Sequence, residues 1–219
     1  MNDGKGMAGQ VGAALVLALA VVAVVLFVQG REETAAPSGK PAACNPPKDT
    51  DAPGYPALCA ALNRPDLPAL VGVPGEHVVN AYSAGLLPSE KGAKGRDAAV
   101  EVQVGSYNVR LADNGDLSLR TVAEFLTPKV LPGSVLGHPA ATYTDHTMSI
   151  SFGLAGSKSS AGTGGIAQHL VVSKGQGDGV GSYEIAVWRQ DAGAVDDAAA
   201  RRIAETVLPT LQGWVSGQQ

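Results

Sequence analysis

The chain has 219 residues and a formal net charge of −4, with acids and bases interspersed; this excludes the basic surface that nucleic-acid binding requires. Its two cysteines exclude both a cysteine-rich scaffold and a multi-cysteine zinc module. No internal repeat is present, and no cofactor-binding motif stands in a context that would support it.

The first element is the apolar run VGAALVLALAVVAVVLFV, Val11–Val28. It carries no charge and has no polar face. As a helix at about 1.5 Å per residue it would reach roughly 27 Å, close to the hydrocarbon thickness of a bilayer. The spacing predicts one transmembrane helix, with residues 1–10 on the cytoplasmic side. Lys5 and the free amine precede the run, and Arg31, Glu32 and Glu33 follow it, so the positive-inside rule weakly favours that orientation. An uncleaved signal anchor is expected, because the run exceeds the 7–15 apolar residues usual for a cleaved signal. Cleavage after Gly30 or Ala36 is the alternative.

Residues 29–56 are rich in proline and polar residues and read as an extended stem. Cys44 falls in it and Cys59 just after. Export to an oxidising compartment makes a Cys44–Cys59 disulfide the expected state. A metal site would need further ligands nearby, and a catalytic thiol would need a base.

Residues 57–215 read as one extracytoplasmic α+β domain, followed by a tail at 216–219. YPALCAAL predicts a short helix. PDLPALVG predicts a second, with Pro65 at its start and Gly72 at its end. EHVVNAYS reads as a strand. AVEVQVGSYNVRLA alternates, with a half-step around Gly105–Ser106 that suggests a bulge. DNGD is a turn signal, LSLR a candidate return strand, and TVAEFL a short helix with Thr121 and Glu124 in capping-box spacing. AATYTDHTMSISFG is a strand. GGIAQHLVVSKG and VGSYEIAVWRQ form a hairpin around a glycine-rich turn. The stretch from Val195 to Val215 repeats Val195, Ala199, Ile203, Val207 and Leu211, which predicts a long C-terminal helix capped by Asp196 and kinked at Pro209. The expected fold is a mostly antiparallel sheet of 4–6 strands with short N-terminal helices and that C-terminal helix.

Chemistry is sparse. GTGGIA, Gly162–Ala167, matches a dinucleotide fingerprint in letters, but a strand-like segment follows it, so a flexible loop feeding a strand is the expectation. No serine stands in G-x-S-x-G. Among the histidines, His77 stands alone, His138 precedes Pro139 in a turn-like setting, and His169 lies mid-strand on the face of Ala167 and Val171. Asp145 and His146 are adjacent, so on a strand they point to opposite faces. A metal site from His138, His146 and His169 is one reading, and a hydrolytic site around Asp145, His146 and His169 another. Asp113 and Asp116 flank a turn. Lys91, Lys94 and Arg96 form a solvated basic loop. Tyr183 and Trp188 lie at odd spacing on one strand, so one packs and the other faces outward.

GSYEIAVWRQDAGAVDDAAARRIAETVLPTLQGW, VLGHPAATYTD and YPALCAALNRPDLPALVG together resemble an uncharacterised actinobacterial group, of the kind abundant in streptomycetes. The resemblance implies a membrane helix, a proline-rich stem and one small α+β domain, with no known activity. The order of elements is more loosely similar to secreted mycobacterial lipoproteins with a PsbP-like fold, although the lipid-attachment cysteine is missing. The expected function is therefore a non-catalytic binding or scaffolding module of the cell envelope, with no metal and no cofactor. The alternatives are the envelope hydrolase above and a pocket for an apolar ligand.

Overall fold

The structure is a computed structural model that describes residues 41–85, 98–125, 130–151, 160–177 and 180–214. The predicted membrane helix lies outside the described residues. Among the described residues no helix is long and apolar enough to cross a membrane.

Seven strands form one antiparallel sheet: β1 Val78–Ser83, β2 Ala98–Val104, β3 Tyr107–Asp113, β4 Leu131–Val135, β5 His138–Ser151, β6 Ser160–Ser173 and β7 Ser182–Arg189. Their spatial order is β1-β2-β3-β7-β6-β5-β4. Two meanders, one of three strands and one of four, thus join through β3 and β7. The helices are short: α1 Tyr55–Leu62, α2 Leu67–Leu70, α3 Leu119–Phe125 and α4 Ala199–Val207.

Alternation decides the two faces. Val100, Val102, Val109, Leu111, Ile185, Val187, Leu170 and Val172 are buried on one face. There they share a core with Tyr55, Leu58 and Leu62 of α1, Leu67 of α2, and Ile203, Ala204 and Val207 of α4. On the other face, among the described residues, a small cluster forms where Leu119 and Val122 of α3 meet Ala141 and Val171.

The long alternating stretch is two strands, not one bulged strand. Gly105 has φ +54°, and with Ser106 it reverses the chain so that Val104 pairs with Tyr107. A tight turn restarts the alternation in the same half-step way as a bulge. After Asp113 the chain does not return as a strand at LSLR. Ser118 Oγ instead accepts the Thr121 N–H at 3.1 Å and starts α3, so the cap is Ser118 and not Thr121. The place beside β3 is filled by β7. In the second N-terminal helix it is Pro68, not Pro65, that occupies the first turn.

The long C-terminal helix is not seen. α4 has nine residues and passes into a 3₁₀ turn, Leu208–Thr210. Pro209 cannot donate to the ladder, and the chain leaves in extended form at Leu211. At the other end the N-cap is Ala198 and not Asp196, which stands in the turn before the helix: its Oδ1 accepts the Ala198 N–H at 2.9 Å, and its other oxygen pairs with Arg202 at 2.7 Å.

The packed unit begins at Pro41. Ala42 N–H donates to the Val78 carbonyl at 2.9 Å and Asn45 N–H to that of Ala81 at 2.8 Å, so the proline-rich segment lies along the outer edge of β1. Tyr55 Oη donates to Asn45 O and Asn63 Nδ2 to Ala42 O, both at 2.8 Å. Cys44 and Cys59 sulfurs stand 2.06 Å apart, the expected disulfide. The far edge is closed differently. In β4, Pro132 has no N–H, and the Ser134 carbonyl accepts Arg201 Nη1 at 2.8 Å.

Candidate functional site

Among the described residues two places gather polar side chains on the faces of the sheet. The first is a polar row on the face opposite the main core. Register aligns Tyr82, Glu101, Arg110, Ala186, His169 and Tyr143 across six strands. Glu184 stands one step along β7 from Ala186, on the same face. His169 Nδ1 lies 2.7 Å from Glu184 Oε1; a carboxylate only accepts, so this nitrogen carries the proton. Tyr143 Oη donates to the same oxygen at 2.8 Å. The Tyr143 and His169 rings stack at 4.3 Å. At the other end of the row Tyr82 Oη donates to Glu101 Oε1.

Electrostatics follows from this geometry. Burial alone would raise the Glu184 carboxyl, but the hydrogen bonds from His169 and Tyr143, with the charges of His169 and Arg110, hold it below its ordinary value. Burial raises Glu101, which has only Tyr82 and the charge of Arg110 to offset it. Tyr143 is raised first by burial and then by the Glu184 charge. The arrangement fixes the tautomer of an imidazole against a carboxylate, as in a general base. Among the described residues, none of the hydrogen bonds to His169 comes from a serine, threonine or cysteine that could act as nucleophile.

The histidines of the proposed metal site are not together. His138 is fully buried at the start of β5, not in an open turn. Its Nδ1 lies 3.0 Å from Ser173 O, and its ring stacks on Trp214 at 3.9 Å. His146 is exposed, with Nδ1 3.4 Å from Gly164 O. It sits on the core-side face of β5, opposite in direction to His169. Among the described residues no group of three or more His, Cys, Asp and Glu could hold a metal ion. Of the hydrolytic trio, Asp145 shares a face with His169 but its Oδ1 accepts the His146 N–H at 2.7 Å, and His146 points away. The residues that partner His169, Glu184 and Tyr143, were not singled out in the sequence: the β5–β6 and β6–β7 registers that set them beside His169 are not local information. GTGGIA is part of β6 and not a loop; the ladder slips there between His146 and Met148. Tyr183 packs, with burial pushing its hydroxyl up to about 12, while Trp188 is half-buried on the opposite face.

The second place is a groove on the core-side face, between the start of α4 and strands β4–β6. Its volume is about 670 Å³. Leu131, Leu170 and Ala200 supply aliphatic lining, Thr142 and Thr144 supply hydroxyls, and Val130 borders it while its side chain packs with the cluster on the opposite face. Gln168, Asp197 and Arg201 complete the rim. Gln168 Nε2 donates to Asp197 Oδ1 at 2.5 Å and to Val195 O at 3.3 Å, tying β6 to the residues before α4. Leu131 is 68% exposed at one side, and Ile166, further along β6 on the same face, is 53% exposed. The groove lies where Asp197, Ala200 and Arg201, at the start of α4, stand beside Thr142 and Thr144 of β5 and Gln168 and Leu170 of β6.

Residues 2–129 match a family of unknown function, DUF6215. The chain belongs to that family. No curated protein and no solved structure matches. The stretch shared with the family contains the disulfide, α1, α2, β1–β3 and α3. The groove and the His169–Glu184 pair are built from β4–β7 and α4, downstream of it.

Proposed function

We propose that this chain is a non-catalytic binding module of the cell envelope, tethered by a signal anchor at residues 11–28 with residues 1–10 in the cytoplasm, and that the groove beside α4 is where it binds. The groove carries the reading: a concave, largely aliphatic lining with a few polar groups at its rim is the usual form of a small-ligand site. The apolar run and the disulfide support an extracytoplasmic setting. The resemblance to actinobacterial envelope proteins supports the same placement. The His169–Glu184 pair stands on the other face and is read as a structural tie of that face.

The test has two arms. Protease added to intact, wall-stripped cells is expected to release the domain by cutting between the anchor and Pro41; protection alongside a cytoplasmic control overturns the topology. Thr144→Trp fills the groove from an exposed position. It is expected to abolish whatever phenotype deletion produces, whereas His169→Ala leaves it; the reverse result overturns the binding reading in favour of an enzyme.

A further inference from the structure

We infer that the groove binds a single linear aliphatic chain ending in a carboxylate, a free fatty acid, with its head at Arg201. The inference rests on the binding reading above and names its ligand class. Three observations select this chemistry.

The side chains that face the groove combine aliphatic and polar groups and offer no ring. Tyr143 and His169 border the groove only through their strands; their side chains lie on the opposite face, stacked on each other and tied to Glu184. A sugar or a nucleobase would find no aromatic platform there among the described residues, whereas methylene groups need only Leu131, Leu170 and Ala200 and the methyls of Thr142 and Thr144.

The charges select the head. Asp197 is engaged by Gln168. Arg201 spends one donor on Ser134 O and lies 3.6 Å from Glu205. A guanidinium has five N–H donors, so Arg201 retains enough of its fork for one carboxylate. A polyanion would meet Asp197 and Glu205 and find no second cation in the lining.

The shape selects a chain. From Leu170 to Ile166 the strand advances roughly 13 Å at about 3.3 Å per residue. Ile166, exposed on the same face of β6, continues the apolar path beyond the lining. One acyl chain fits a volume of 670 Å³; the two chains and bulky head of a phospholipid do not.

The experiment uses membranes containing the full chain, without ATP, exposed to a photoreactive, alkyne-tagged fatty acid. Parallel samples receive the corresponding fatty alcohol and a photoreactive phosphatidylcholine. Labelling by the acid is expected in peptides holding Thr142–Thr144 or Ala200–Arg201, with competition by unlabelled fatty acid. Thr144→Trp should lower it about tenfold for acid and alcohol alike, and Arg201→Gln about tenfold for the acid only, the loss of one charged contact. Asp145→Asn, on the other face, should leave it unchanged. Melting curves of each variant separate lost binding from lost folding. Labelling outside the groove, insensitivity to Thr144→Trp, or stronger labelling by the phospholipid overturns the inference. If labelling fails but Thr144→Trp still abolishes the phenotype, the ligand class is wrong and the binding reading stands. If neither responds, both fall.

Discussion

The two faces of the sheet solve different problems with the same alternation. The core-side face is aliphatic from β1 to β6 and is closed by α1, α2 and α4, so its stability comes from area removed from water. The opposite face carries Tyr82, Glu101, Arg110, His169, Glu184 and Tyr143 and is held by hydrogen bonds and charge. Removing atoms from the first face leaves a cavity whatever the pH. Removing partners on the second leaves an unsatisfied carboxylate, whose cost changes with protonation. The comparison teaches that period-2 patterning can specify two working surfaces at once, one for cohesion and one for polar order.

The contrast is sharpest at Ile203, fully buried between α4 and the sheet. Ile203→Ala is expected to cost about 2–5 kcal/mol, while Glu205→Ala, two residues on and exposed on the other side of the helix, costs under about 0.5 kcal/mol. Urea denaturation of both variants checks this; equal losses would mean that α4 does not close the core face.

The sheet edge comes next. Cys59→Ser removes a cross-link spanning 15 residues. The chain-entropy model puts the loss near 3 kcal/mol, and the protein should still fold, because four hydrogen bonds continue to hold residues 42–45 to β1, Tyr55 and Asn63. Faster proteolysis between Pro46 and Pro56 should accompany the lower melting temperature. If that segment is cut no faster, the disulfide is not what fixes it on the edge.

On the polar face, His169→Ala should cost about 1–3 kcal/mol at neutral pH, since Glu184 keeps only the Tyr143 donor. The pH dependence has a definite sign. Glu184 has a folded-state pKa below its ordinary 4.5, so it binds fewer protons folded than unfolded. Its stabilisation is present above that ordinary value and is lost as pH falls through the lower folded value. Thermal melts from neutral pH to below 4 should therefore show an acid loss in the wild type that Glu184→Gln diminishes. An unchanged acid limb would show that the hydrogen bonds do not favour the ionised form. The smallest effect is expected at Asp145, exposed on the same face: Asp145→Asn should stay within about 0.5 kcal/mol, and a larger loss would extend the polar network beyond the row described.

Much of the fold was legible because its signals are local. Val100, Val102 and Val104 announce a half-buried strand, Gly72 an ending, and Ile203, Ala204 and Val207 a packed helix face. The hairpin turn at Gly105–Ser106 was misread as a bulge because both shift the alternation by one position. Strand β4, with Pro132 and Gly133 in LPGSV, was not read at all: on an edge strand the pairing comes from one neighbour and propensity carries little weight. The proline-rich segment was read as free stem as far as residue 56, since composition shows that it cannot pack alone but not that an open β1 edge is waiting for it. For the candidate sites, the face of His169, shared with Ala167 and Val171, was legible, but Glu184 lies fifteen positions away in the chain and becomes its partner only through register.

The sequence by itself determined the alternating strands, the apolar run at 11–28, the cysteine pair as a disulfide candidate, and the helical face of α4. Each follows from residue type and period, which act over a few positions. Only the tertiary structure decided that β7 and not LSLR lies beside β3, that the start of α4 stands against β4–β6 and forms a groove with them, and that His169 meets Glu184 and Tyr143 while His138 and His146 point elsewhere. Those outcomes depend on strand order and register, which are set by the burial of the whole core and not by any segment alone.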